Sequence, residues 1–198
     1  MMTQDLQAKR SHGLSQFVTT IRDEAGLTIL DLGGISQENV NFITSLGHRL
    51  YSEDFLRTLD SLTAEDDPPG GPAQRDQIEA FLEQCFDFGP GMLDGALVWD
   101  TLQYVSRPVL LAAIDRLYDI LRPGAHMLTL FHTAERPQEV PLYSYRIADA
   151  ETLHLIPRGV RQTVQFFNNR GIEKLFERFG AVKFFLTRDN LREVIVKR

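Results

Sequence analysis

The chain has 198 residues, 43% hydrophobic and 24% charged, enough for one domain with a sizeable core and short for two. Its 27 acidic and 21 basic residues leave a formal net charge of −6, which argues against nucleic acid as the main partner, because phosphate binding relies on clustered Lys and Arg. The single cysteine, Cys85, excludes an intramolecular disulfide and suits a reducing compartment. No run approaches the roughly 18 apolar residues of a membrane span, residues 1–10 are polar without a signal-peptide core, and the five histidines lack metal-ligand spacing. The expectation is a cytoplasmic protein with no membrane contact and no structural metal.

Leu14, Phe17, Val18 and Ile21 recur at helical spacing, predicting a helix over 11–24 that ends at Gly26, so residues 1–26 read as an N-terminal helical segment. Residues 27–32 form a short apolar run closed by Gly33 and Gly34, the pattern of a buried strand entering a tight turn. Ser36 is placed to cap a helix carrying Val40, Ile43 and Leu46, with Gly47 just past its end. A second strand follows over 48–52, with Glu53 and Asp54 directly after it. Residues 60–77 are acidic and rich in Pro and Gly, and read as a mobile loop before a helix over 74–86. A strand over 94–100 ends in Trp99-Asp100. Ser106 and Pro108 open a strong helix, ended by Pro123-Gly124, and 126–132 is again a strand. Residues 143–147 and 152–156 suggest two short strands in an insert. Asn169 is placed to cap a helix closed by Gly180, and strands over 182–187 and 192–197 flank a four-residue turn. That turn is too short for a parallel crossover, so the last strand must run antiparallel to its predecessor. The alternation elsewhere predicts one Rossmann-like α/β domain over 27–198, a mostly parallel three-layer sandwich with a reversed C-terminal strand.

With the residues at its turns, this architecture resembles the class I S-adenosylmethionine (SAM)-dependent methyltransferases over about 27–198. That family's acid-x-Gly-x-Gly-x-Gly loop aligns with Asp31-Leu32-Gly33-Gly34-Ile35-Ser36-Gln37. Matching Gly47 to the family's helix-ending glycine puts Asp54 at the acid that binds the ribose hydroxyls, with Glu53 as its neighbour. Leu93-Asp94 to Asp100 matches the fourth strand, and Leu121-Arg122-Pro123-Gly124-Ala125 the turn before the fifth. The resemblance implies SAM as cofactor and a small molecule as methyl acceptor. It implies cofactor contacts from Asp31, Gly33, Gly34, Ser36, Gln37, Glu53, Asp54 and Trp99, and Asp100 or His132 as an optional general base.

Each of these residues also has a plainer reading. Asp54 suits a helix N-cap, Trp99 core packing, and Tyr104 and His132 ordinary burial. Tyr143, Tyr145 and Arg146 are candidates for a substrate cover. Ile35 and Gln37 stand where the family has glycines, and no third strand is identifiable. Two functions therefore stay open. In the first the loop is rebuilt, Gln37 adds a donor, and the protein transfers methyl groups. In the second Ile35 fills the adenosyl space, and the domain is a non-catalytic relative that binds a partner.

Overall fold

The computed structural model describes residues 6–62, 72–133, 135–187 and 189–198. A six-stranded sheet has the order β3-β2-β4-β5-β9-β8. Its strands are β2 (Thr28–Asp31), β3 (Arg49–Ser52), β4 (Leu93–Trp99), β5 (Leu121–His132), β8 (Ala181–Phe185) and β9 (Leu191–Lys197). Pairing is parallel among β3, β2, β4 and β5, and antiparallel for β9 against both β5 and β8. The reversed last strand is thus as the short turn requires.

Side-chain alternation along the strands divides the interior into two cores. Leu30, Ala96, Val98, Met127, Val194 and Val196 face one side of the sheet. There they meet α3 (Phe55–Leu62), α4 (Pro72–Cys85), α5 (Arg107–Ile120) and α6 (Asn169–Leu175). Ile29, Leu97, Leu128, Leu130 and Ile195 face the other, under α1 (His12–Ile21) and α2 (Gln37–Ser45). Cys85 lies in the first core, and burial pushes its thiol up to about 12.

A second, three-stranded sheet has the order β1-β7-β6, from β1 (Gln7–Arg10), β6 (Glu139–Ile147) and β7 (Thr152–Gln162). The two short strands expected near 143–156 are one long antiparallel hairpin, registered from Glu139↔Gln162 to Ile147↔Leu153. The N-terminal segment contributes β1, which pairs with β7 ahead of the helix. Several ends move. The first helix stops at Ile21, and the cap of α6 is Asn168, whose side chain accepts from Gly171 N. Helix α5 ends at Ile120, and residues 121–125, Pro123 and Gly124 included, already belong to β5. Of the expected 60–77 loop, 60–62 close α3 and 72–77 open α4; the rest, 63–71, lies outside the described residues. Among the described residues no strand lies between β3 and β4.

Buried charge fastens β1 and α1 to the main sheet. Glu193, fully buried in β9, accepts from Gly13 N at 2.6 Å, and its other oxygen stands 3.5 Å from Lys9 Nζ. Lys9 also pairs with Asp189. A side chain at Gly13 would strike Leu128 at 2.7 Å, so the close approach of α1 to β5 needs glycine there.

Candidate functional site

In an open α/β sheet, ligands bind beyond the carboxyl ends of the strands, where the strand order reverses. Here that point lies between β2 and β4, flanked by β3 and β5. The residues leaving these ends are Leu32-Gly33-Gly34, Glu53-Asp54 and Asp100. The structure brings Gly33, Asp54, Trp99 and Asp100 together at one crevice, with Tyr143, Tyr145 and Arg158 from the hairpin closing it above.

The loop after β2 turns as its glycines suggest. Gly34 has φ +83, a left-handed conformation that side chains disfavour, and a Cβ there would meet Asp54 at 3.2 Å. Gly34 N donates to Glu53 O, and Gly33 and Asp54 form an isolated bridge. Asp54 also caps α3, its carboxylate accepting from Arg57 N at 3.1 Å. Glu53 is only partly covered, and burial raises its pKa. Ser36 caps α2 through Asn39 N. Ile35 is 89% exposed, so the expectation that its side chain fills the adenosyl space is overturned: the turn at Gly34 swings it into solvent. Gln37 is also exposed, and its amide donates to Asn41 one helical turn on. The carboxylate at the start of α2 belongs to the chain. Glu38 accepts from Ser36 Oγ, and its own backbone N–H lowers its pKa.

Asp31 is fully buried. One oxygen accepts from Trp99 Nε1 at 2.6 Å and from Gly33 N at 2.9 Å. The other accepts from Asn39 Nδ2 at 2.8 Å. Burial nevertheless dominates and raises its pKa. Trp99 is a non-glycine residue at φ +54, a costly backbone held in place by its surroundings. Its indole lies so close to Gly33 that a Cβ there would meet Nε1 at 2.8 Å. On the outer face it stacks on Tyr145, with centroids 5.1 Å apart and planes 5° from parallel. Asn39 completes the closure. Its Nδ2 also donates to Tyr145 O at 3.1 Å, and its Oδ1 accepts from Ile147 N at 2.7 Å. The hairpin is thereby latched to α2, with Arg146–Glu38 at 2.8 Å on the surface. The crevice is left with about 10 Å³, no more than one water requires.

Toward β5 the edge is different. Asp100, buried behind β4, accepts from Tyr104 Oη at 2.8 Å, and His132 Nε2 stands 3.5 Å from the same oxygen without a hydrogen bond. Burial, then the Asp100 carboxylate, raises the pKa of both Tyr104 and Tyr145. Gln103 presents Oε1 to His132 N, while its Nε2, His132 Nε2 and Tyr145 Oη are buried without partners among the described residues. His132 borders a cavity of about 480 Å³ between the hairpin and the β8–β9 turn, and Tyr143 lines both this cavity and the crevice.

Asn39 and Tyr145 are the residues whose weight the sequence least discloses. Tyr145 sits among candidates for a cover, and its alternation with Tyr143 along a strand is the available signal. Nothing local marks Asn39 as a latch. Among the described residues, no three His, Cys, Asp or Glu are grouped to hold a metal ion, and no helix is long and apolar enough to cross a membrane.

No protein-family model and no curated protein matches the sequence. Solved structures do resemble the fold. The Burkholderia thailandensis 1,6-didemethyltoxoflavin-N1-methyltransferase, with bound 1,6-didemethyltoxoflavin and S-adenosylhomocysteine (SAH), has a TM-score of 0.52 at 13% identity, covering 94% of this chain and 76% of that one. A SAM-dependent methyltransferase from Archaeoglobus fulgidus has a TM-score of 0.53 at 11% identity, covering 93% and 91%. The glycopeptide N-methyltransferase MtfA, complexed with SAH, has a TM-score of 0.51 at 13% identity, covering 96% and 87%. At such identities the likeness speaks for the fold. Joined to the strand order and the reversed β9, it shows that this chain has the Rossmann-like fold of the class I SAM-dependent methyltransferases.

Proposed function

We propose that the protein is a SAM-dependent methyltransferase acting on a small molecule, and that the β6–β7 hairpin must lift to admit the cofactor. The observation that carries this reading is the crevice at the strand-order reversal, where the Gly33–Gly34 turn is held against Asp54. Two polar features fit SAM: the Gly33–Gly34 turn and the Asp54 carboxylate beside it. The space fits only after Tyr145 withdraws with the hairpin, because the closed crevice holds about 10 Å³. When bound, SAM supplies an electrophilic methyl for in-line displacement, a reaction governed by proximity and alignment. In this reading Asp54, with Glu53 beside it, accepts from the ribose hydroxyls. Gly33, Gly34, Ser36 and Gln37 offer backbone to the cofactor's methionine end, Asp31 fixes the loop, and Trp99 forms the wall. Asp100 or His132, which face each other at 3.5 Å, serves as the optional base for the acceptor's proton. The acidic surface favours a small acceptor over nucleic acid, and a cytoplasmic setting follows from the lone thiol.

A second reading is favoured by the sealing itself. Trp99 and Asn39 bond Asp31, and Tyr145 stacks over Trp99, a closed arrangement that suits a non-catalytic relative. Titration calorimetry with SAH separates the two. Wild type should bind, and Asp54→Asn, which keeps the α3 cap but loses the charge, should bind about 1–3 kcal/mol more weakly. No heat with either folded protein would leave the second reading standing. Because Ile35 and Gln37 point to solvent, Ile35→Gly with Gln37→Gly should change affinity by no more than about 0.5 kcal/mol.

A further inference from the structure

We propose that the groove between α5 and α6 is a binding site for a small organic anion, a single carboxylate on an aromatic or acyl body. The site stands apart from the methyl-transfer reading, because the groove shares no lining residue with the crevice.

The groove follows from the sequence of its walls. On α5, Arg107, Leu111, Ile114 and Asp115 recur at the i, i+4, i+7, i+8 spacing of one helical face. Opposite, α6 presents Lys174 and Leu175, and the segment between β7 and α6 supplies Phe166 and Phe167. All of these lie in the stretches 101–133 and 135–187, described without a break. The space between them is about 530 Å³, in the range of small-molecule sites. Its irregular wall is fixed in advance. Val164 N and Gln165 N donate to Gln103 O, Gln165 Nε2 donates to Val105 O at 2.8 Å, and Phe167 O accepts from Arg192 Nη1 at 2.9 Å. A preformed wall spares a ligand the cost of ordering it. Leu111 and Phe166 nevertheless stay 43% and 50% exposed, apolar surface that an apolar body would take out of water.

Charge sets the head group. Arg178 is already committed, pairing with Asp115 at 2.7 Å and lying over the ring of Tyr118. The side chains of Arg107 and Lys174 have no ion pair or hydrogen bond among the described residues, and of the lining carboxylates only Glu177 is likewise unpaired. The free lining charge is therefore two cations against one anion, on a chain whose net charge is −6. Arg107 is also the first residue of α5, whose Ser106 makes no side-chain cap, so the positive end of a 14-residue helix adds to the attraction. A carboxylate is drawn to this end of the groove, and an ammonium group is repelled by Arg107 and Lys174.

Saturation-transfer NMR at neutral pH and low salt tests the site with naphthoate and naphthylmethylamine, which share an aromatic body and differ in the charge of the head. Wild type should bind naphthoate and give little or no signal with the amine. Reversing both free cations, Arg107→Glu with Lys174→Glu, should weaken naphthoate by about tenfold and admit the amine. Leu111→Asp, a separate exposed substitution on the α5 wall, should weaken naphthoate by a similar factor, because it removes apolar surface and adds a like charge. Circular dichroism verifies that each variant is folded. Naphthoate without signal on wild type, the amine bound as tightly as naphthoate, or naphthoate affinity unmoved in either folded variant overturns the proposal.

Discussion

The crevice at the β2/β4 switch point and the cavity beside β5 share one edge of the sheet and one wall residue, Tyr143, yet they are finished in opposite ways. In the crevice the groups around Asp31 are paired. Asp31 takes three hydrogen bonds, Asn39 uses both ends of its amide, and Trp99 and Tyr145 stack over the loop. Toward β5 the buried His132 Nε2, Gln103 Nε2 and Tyr145 Oη are left without partners among the described residues. The difference teaches that an eroded glycine loop need not be blocked by its own substituted residues. Ile35 is in solvent, and closure comes from a strand more than a hundred positions further along the chain.

The largest expected effect lies under the cavity. Lys9→Met leaves Glu193 buried without its cation, and should destabilise the protein by about 3–5 kcal/mol in urea unfolding. A cost below about 1 kcal/mol would mean that β1 is not held by charge. Next is the crevice. Trp99→Phe keeps a ring against Tyr145 but removes the donor to Asp31, and should cost about 1–3 kcal/mol. An unchanged midpoint would argue that the stack alone seals the site.

Titration gives a finer contrast, of opposite sign in the two regions. Burial raises the pKa of Asp31 above the ordinary 3.8. The native state therefore binds this proton before the unfolded chain does, and wild type should gain stability relative to Asp31→Asn as pH falls from neutral toward 3.8. The pKa of Asp189 is lowered, its bonds from Lys9, Thr187 and Leu191 outweighing its burial. Its contribution is present above 3.8 and lost as pH drops through the native value, so wild type should lose stability relative to Asp189→Asn there. Urea unfolding of the three proteins between pH 7 and pH 3 checks both slopes. The smallest effect is at the surface: Arg146→Ala removes an exposed ion pair and should cost no more than about 1 kcal/mol.

Much of the frame was legible because it is local. Ser36 caps α2, Gly34 and Gly47 turn with positive φ, apolar runs give the strands, and a connection too short for a crossover forces β9 to reverse. What was not legible depends on distant partners. β1 has no strand pattern of its own and exists because β7 offers an edge. The hairpin's length is set by register between strands whose outer ends are exposed and therefore poorly patterned. Asp54, Trp99 and Asp100 line the crevice and Asp31 ends β2, positions to which motif spacing points. That Trp99 bonds Asp31, and that Asn39 reaches across to β6, follows from tertiary contact between residues 68 and 106–108 positions apart.

The central claim is that the sealed crevice is a SAM site held shut by the hairpin, and Asn39 is the residue that tests it. Asn39→Ala removes the two bonds that latch α2 to β6, so the hairpin should lift more readily. SAH calorimetry on wild type and Asn39→Ala, with circular dichroism to verify folding, should give binding in both proteins and about five- to tenfold tighter binding in the variant. Absence of heat in two folded proteins, or weaker binding once the latch is gone, would contradict the account.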